Sequence, residues 1–212
     1  NKNSLYDSYF KAFRWSTDRL DPTNGGVICF VSNGAWLEGN SADGFRKSIE
    51  KEFSSIYVFN LRGNQRTSGE LSRKEGGKIF GSGSRNPIAI TLMVKKITTQ
   101  NQNAKIYYYD IGDYLSREEK LAVIKKYTYE GREGVPWKSL SPNEHGDWIS
   151  QRNDVFSTFF LIADREHTTI DTIFNQYYSR GLASARDAWC YNSSKTQLSD
   201  NIATTISFYN DQ

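Results

Sequence analysis

The sequence has 212 residues, 27 Lys and Arg against 24 Asp and Glu, a formal charge of +3, and 37% hydrophobic and 14% aromatic residues. That content is enough to bury a core, which excludes a disordered, collagen-like or coiled-coil chain. No stretch approaches the roughly 18 apolar residues of a membrane-spanning helix.

Asn1-Lys2-Asn3-Ser4 has no apolar signal segment, and the two cysteines, Cys29 and Cys190, are too few for a disulfide framework or a zinc cluster. The expectation is a cytoplasmic protein. With no initiator Met, the chain reads as cut from something longer.

In chain order, Ser4 to Leu20 predicts a helix, with Leu5, Tyr9, Ala12, Phe13, Ser16 and Leu20 near helical spacing and Ser4 to Asp7 as its cap. Pro22, Asn24, Gly25 and Gly26 end it. Gly26 to Val31 is a continuous apolar run, predicting a strand buried on both faces, and Ser32-Asn33-Gly34 is the loop at its carboxyl end. Ser41 to Phe53 predicts a helix with Phe45, Ile49 and Phe53 on one face, and Ile56 to Leu61 a second buried strand. That rhythm is of an α/β sheet with crossover helices.

Ile88 to Val94 predicts a third strand, ending at Lys95-Lys96, and Ala104 to Asp110 a fourth, carrying Tyr107, Tyr108 and Tyr109. Ser116-Arg117-Glu118-Glu119 is a capping box opening a helix that continues through Leu121, Val123, Ile124 and Tyr127. Glu130 to Asp147, rich in Gly and Pro, predicts a connector. Phe156 to Ala163 is apolar, Ile170 to Tyr177 predicts a short helix, and Leu198 to Tyr209 a longer one. The expected division is 1–129 and 130–212.

The charge has an address. Between Arg62 and Asn86 stand Arg62, Arg66, Arg73, Lys74, Lys78 and Arg85, opposed only by Glu70 and Glu75, a local net of +4 against −1 for the rest of the chain. The segment reads as a flexible cationic loop. Its length favours a function over a plain surface loop, and a polyanion is the natural ligand.

Other chemistries fail on inventory. His145 and His167 stand apart with no ligand-spaced partner, so no metal site is expected. Cys29 sits in an apolar strand, where a thiol is an inert core residue, and Cys190 follows Trp189 as a packing residue. Gly76-Gly77-Lys78 suggests a nucleotide loop, but Ile79 stands where Ser or Thr is required and a strand follows. Asn86-Pro87-Ile88-Ala89 has one proline and no aromatic, so Pro87 reads as a proline leading into a strand.

The order of segments resembles the second half of the catalytic domain of gamma-class N6-adenine DNA methyltransferases. The resemblance rests on Leu5-Tyr6-Asp7-Ser8-Tyr9-Phe10, the Gly25-Gly26 turn, the strand Val27 to Val31, Ser32-Asn33-Gly34-Ala35-Trp36-Leu37 and Phe45-Arg46-Lys47-Ser48-Ile49. Ile56 to Leu61 and Pro87 to Lys96 resemble its last parallel strand and the antiparallel strand inserted beside it. A narrower likeness is to the type ISP single-chain restriction-modification enzymes, in Tyr57 to Thr67, Asp110 to Ser116, Pro142 to Trp148 and Tyr178 to Gly181.

The resemblance implies an α/β fold, the C-terminal half of a Rossmann-like S-adenosylmethionine-dependent methyltransferase sheet followed by a mixed connector into a target-recognition domain. It implies a parent that methylates adenine N6 in duplex DNA and carries nuclease and helicase-like domains in one polypeptide. The glycine-rich cofactor turn and the Asn-Pro-Pro-aromatic motif are not among these residues, so the chain alone is expected to be inactive and to hold no cofactor. By analogy Tyr6 and Phe10 fall near the cofactor's adenine, and Phe80, the only aromatic between Phe59 and the inserted strand, stacks on an extruded base. The six basic residues are the phosphate contacts. A non-catalytic DNA-binding module and a protein-interaction fragment with an open sheet edge are the alternatives.

Overall fold

The structure, a computed structural model, describes residues 3–81, 84–96, 102–128, 134–164, 171–174 and 187–212. Two compact units divide the chain, Asn1–Asn153 and Asp154–Gln212. Residues 134–153, beyond the expected division at 129, pack as part of the first unit.

The first unit is built on a five-stranded mixed sheet: β1 (Gly26–Asn33), β2 (Ser55–Arg62), β3 (Ile88–Lys95), β4 (Lys105–Asp110) and β5 (Lys138–Leu140), in the order β1-β3-β2-β4-β5. β3 is antiparallel to both its neighbours, pairing Asn33 with Ile88 on one side and Asn60 with Ala89 on the other. β1, β2 and β4 therefore share one direction, with β2 and β4 paired in parallel from Ser55↔Lys105 to Asn60↔Asp110. This is the α/β sheet with an inserted antiparallel strand that the resemblance implies.

One face of the sheet carries Ile28, Met93, Ile56 and Ile106 in one row and Phe30, Thr91, Val58 and Tyr108 in the next. Two helices, α1 (Ser8–Thr17) and α2 (Asp43–Glu52), contribute Phe10, Phe13, Ile49 and neighbouring Phe53 to the same core. α1 starts later than expected, after Asp7, whose side chain makes no cap hydrogen bond; Asn3–Tyr6 is a separate 3-10 turn.

The expectation for β1 is corrected. It is buried on one face only: Ile28 is 6% exposed, whereas Val27 is 58% and Val31 54% exposed. Cys29 is exposed rather than a core thiol. An unbroken apolar run does not reveal whether both faces are covered, and among the described residues β1 pairs only with β3.

Two polar side chains of α2 hold the unit together. Arg46 is 0% exposed. Its guanidinium donates to the carbonyls of Gly146 at 2.6 Å, Trp36 at 2.7 Å and Gly39 at 3.0 Å, and to Asp147 Oδ1 at 3.3 Å. Glu50 accepts from the indole Nε1 of buried Trp148. Burial pushes the Asp147 carboxyl up, but hydrogen bonds from Arg152 and Asn143 outweigh it and hold the group below the ordinary carboxylate range. The segment 143–148, expected as plain connector, is thereby locked onto α2.

In the second unit, Asp154–Thr158 is a 3-10 turn and Leu161 bridges Thr172. The described part of the helix expected over 170–177 thus includes an isolated bridge, and Ile170 and 175–177 lie outside the described residues. A short helix, Asp187–Cys190, precedes Lys195–Asn210, which begins earlier than expected because the Ser194 hydroxyl accepts from Gln197 N–H at 3.3 Å.

Arg46→Met removes four donor contacts: the Gly39 carbonyl and Asp147 Oδ1 keep second donors in Ala42 N–H and Arg152, but the buried Trp36 and Gly146 carbonyls lose theirs. It should lower unfolding free energy by about 3–5 kcal/mol, read as a fall in the urea midpoint at pH 7.

Candidate nucleic-acid interface

In open α/β sheets, ligands meet the carboxyl ends of the parallel strands. Three elements end there: β1 at Asn33, β2 at Arg62 and β4 at Asp110. Because β3 runs antiparallel beside β2, the 25-residue connection between Arg62 and Ile88 also sits at that end.

This connection is not the flexible loop expected. It contains a helix, α3 (Gly69–Glu75), and a dense set of tethers. Glu75 Oε2 accepts from the N–H of Gly63 at 2.8 Å and of Asn64 at 3.0 Å. Gln65 N–H donates to the Arg85 carbonyl at 2.9 Å, closing the two arms into a hairpin. Lys74 carbonyl accepts from Tyr114 N–H at 2.9 Å, and Glu70 accepts from the Tyr114 hydroxyl.

The hairpin rests on a second helix, α4 (Arg117–Lys126), whose Ser116–Glu119 capping box forms as expected. Lys120 is 0% exposed and donates to the carbonyls of Leu61 at 2.9 Å and Glu75 at 2.7 Å. Burial pulls its ammonium below the ordinary lysine value, partly opposed by Glu75. Leu121, one of the apolar residues through which the helix was expected to continue, is 41% exposed. The buried stripe is Lys120, Val123, Ile124 and Tyr127, a better helical spacing in which a lysine takes an apolar position.

Gly76 and Gly77, rejected above as a nucleotide loop, have a packing role. Gly76 has φ +67°, and a Cβ there would sit 2.1 Å from the Leu115 carbonyl oxygen; one on Gly77 would sit 2.6 Å from Arg117 N. Only glycine lets the hairpin lie this close to the start of α4.

Of the six basic residues, Arg66, Arg73, Lys74 and Arg85 are exposed and Lys78 half-buried. Arg73 stands 3.6 Å from Glu70, and no carboxylate among the described residues pairs with Arg66, Lys74, Lys78 or Arg85. Arg62 differs. It is half-buried, and its guanidinium forks onto Asp110 at 2.7 and 3.0 Å and reaches Asp113. Although burial pushes the Asp110 carboxyl up, the Arg62 hydrogen bond and the Gly112 N–H hold it below its ordinary value.

Phe80 is 51% exposed beside a narrow recess lined by Lys78, Ser84 and Asn86. Its neighbour Ile79 is buried against Leu61, Ile88 and Ile111, and its carbonyl accepts from Arg117 Nε at 2.8 Å. An anchored residue next to an exposed ring presents that ring to the outside. Ser82 and Gly83 lie outside the described residues.

The two residues expected near a cofactor separate. Tyr6 is 66% exposed, whereas Phe10 is 8% exposed with its ring edge-on to Phe45 at 4.9 Å. A core phenylalanine has no open face to offer, so Tyr6 and Phe10 do not by themselves fit S-adenosylmethionine. Among the described residues no cluster of three or more His, Cys, Asp and Glu side chains is arranged for a metal ion. His145 is 3.6 Å from Glu144, and His167 lies outside the described residues. The opposite sheet face holds an apolar cavity of about 420 Å³ lined by Tyr57, Phe59, Leu92, Tyr127, Trp137 and exposed Cys29. No helix of the described residues is long and apolar enough to cross a membrane.

No family model matches the chain, and no curated protein sequence matches it. Solved structures do. The type ISP restriction-modification enzyme LlaGI, as a nuclease-deletion mutant in complex with a DNA substrate mimic, is 43% identical over 99% of this chain with a TM-score of 0.79. The ATP-dependent type ISP enzyme LlaBIII bound to DNA is 37% identical over 100%, TM-score 0.83. The DrdV–DNA complex is 30% identical over 98%, TM-score 0.81. This chain spans only 19%, 14% and 20% of those three chains. The similarity to type ISP enzymes thus runs the length of this chain and covers one region of theirs.

Gly76→Ala should destabilise the unit by on the order of 2–3 kcal/mol, from the strained backbone and the close carbonyl. Gly44→Ala is the control: its Cβ would meet nothing within 4 Å in α2, and it should stabilise by about 0.5–1 kcal/mol. Denaturant midpoints of the two variants, moving in opposite directions, check this.

Proposed function

We propose that this chain is the sheet-completing and DNA-contacting part of an adenine-specific DNA methyltransferase within a type ISP restriction-modification enzyme. The observation that carries the reading is the full-length similarity to type ISP enzymes solved on DNA, joined to a basic hairpin at the carboxyl end of the sheet.

In this reading, Arg66, Arg73, Lys74, Lys78 and Arg85 neutralise backbone phosphates, giving affinity and register without reading bases. Four of the five are exposed, and they stand on a hairpin tethered by the Glu75 and Gln65 hydrogen bonds, which lowers the ordering cost on binding. Phe80 stacks on the adenine extruded from the duplex, recovering part of the cost of unstacking.

The parent transfers a methyl group to adenine N6. S-adenosylmethionine supplies that group when bound, and the glycine-rich turn and the Asn-Pro-Pro-aromatic motif come from the upstream half of the domain. That half packs on the exposed edge and face of β1, where Val27 and Val31 are uncovered. Helicase-like and nuclease domains of the same polypeptide are further partners, in a cytoplasmic setting. The 212 residues alone are then inactive.

Two experiments follow. Binding of the chain to labelled duplex DNA should weaken steeply with salt. Replacing Arg66, Arg73 and Lys78 together by Ala should reduce the slope of log affinity against log salt by roughly 2 to 3, about 0.9 per lost phosphate contact; an unchanged slope would remove the hairpin from the interface. Titration calorimetry with S-adenosylmethionine should give no stoichiometric heat for this chain, and a one-to-one isotherm would overturn the division of labour.

A further inference from the structure

Resting on the DNA-contact reading, we infer that Arg62 is a positioning residue: its fork onto Asp110 aims the basic hairpin at DNA, and Arg62 itself does not contact phosphate.

Arg62 is the last residue of β2, and the connection that carries the other cations leaves directly from it. Its backbone is in the left-handed region, φ +54°, which costs a side-chain-bearing residue free energy unless its surroundings enforce it. They do. The ladder to β3 shifts register between Asn60 and Arg62, and Asn60 Oδ1 accepts from Arg62 N–H at 2.9 Å. The direction in which the hairpin leaves the sheet is set at this one residue.

The side chain fixes that direction. Nε and one terminal nitrogen of Arg62 donate to the two oxygens of Asp110 at 2.7 and 3.0 Å, and the other terminal nitrogen reaches Asp113. Asp110 ends β4, the parallel neighbour of β2, so the fork ties two adjacent strand ends together. Its carboxylate is itself held by the Tyr108 hydroxyl at 2.9 Å and Gly112 N–H at 2.8 Å, and Tyr108 oxygen accepts from Asn60 Nδ2 at 2.9 Å. Asn60 touches both ends of the network.

Charge excludes the alternative role. Arg62 with Asp110 and Asp113 sums to −1, so a phosphate approaching this guanidinium meets two carboxylates already bonded to it. Only 24% of the Arg62 side chain is exposed. Among the described residues the other five cations lack such pairing or, for Arg73, are only loosely paired to exposed Glu70.

The two roles predict opposite signs. Asp110→Asn removes a negative charge and frees Arg62; a phosphate-contacting Arg62 would then bind DNA at least as tightly as before. A positioning Arg62 loses its anchor, and duplex affinity falls roughly tenfold despite the gain in positive charge. Arg62→Lys keeps the charge but not the planar fork, so it should weaken binding similarly; an unchanged affinity and salt slope in this variant would sink the inference. If Asp110→Asn does not fold, amide exchange in Arg62→Lys decides, because the loss of a planar fork weakens binding in either role.

Amide exchange on the chain without DNA supplies the second readout. In Arg62→Lys the Gln65 and Gly77 amides, bonded to Arg85 and Leu115 carbonyls, should exchange faster while the sheet amides stay protected. Unaltered exchange at those two overturns the positioning role. A wild-type chain with no salt-dependent duplex binding defeats the DNA reading instead, and the exchange result still decides what Arg62 does.

Discussion

The placement of the basic hairpin follows from one strand running the wrong way. β3 sits between β1 and β2 and is antiparallel to both, so its N–H and C=O groups are consumed on either side by strands that point in the opposite direction. A strand so placed must be entered at the carboxyl end of β2. The connection that enters it is then delivered to the end of the sheet where β1 and β4 also stop. Backbone hydrogen bonding thus decides where the basic residues stand.

Two buried cations convert that topology into a fixed shape. Arg46 binds the turns at 36–39 and 143–147 to α2, and Lys120 binds the exit of β2 and the end of α3 to α4. Each is satisfied mainly by main-chain carbonyls, which occur where elements end and cannot bond internally. A buried charge with its donors unmet is costly, so such a residue tolerates only one arrangement of the segments around it. Lys120 in this way ties the base of the basic hairpin, at Leu61 and Glu75, to α4.

How much of this was legible in the residues can be judged element by element. The helix through Phe45 and Ile49, the strands at 56–61, 88–94 and 104–110, and the Ser116 capping box were legible because each carries a local signal. α3 was not, since Gly69 to Glu75 has no buried residue and so no apolar stripe. Arg46 and Lys120 were hidden by their type, although both occupy stripe positions in their helices. Arg62 was counted with the phosphate contacts because its partners are 48 and 51 residues away.

The sequence by itself determined the α/β class, four of the five strands of the sheet, the concentration of positive charge in one segment and the likeness to type ISP enzymes, whereas the short β5 lies in what reads as connector. These depend on hydrophobic period, turn chemistry and residue order, all of which are local. Tertiary structure alone decided that β1 is covered on one face, that Phe10 is core and Phe80 exposed, that the basic segment is a tethered hairpin, and that Arg62 is bound to Asp110. Each of those is a matter of which distant groups meet, and burial and pairing energies act through space without a sequence spacing of their own.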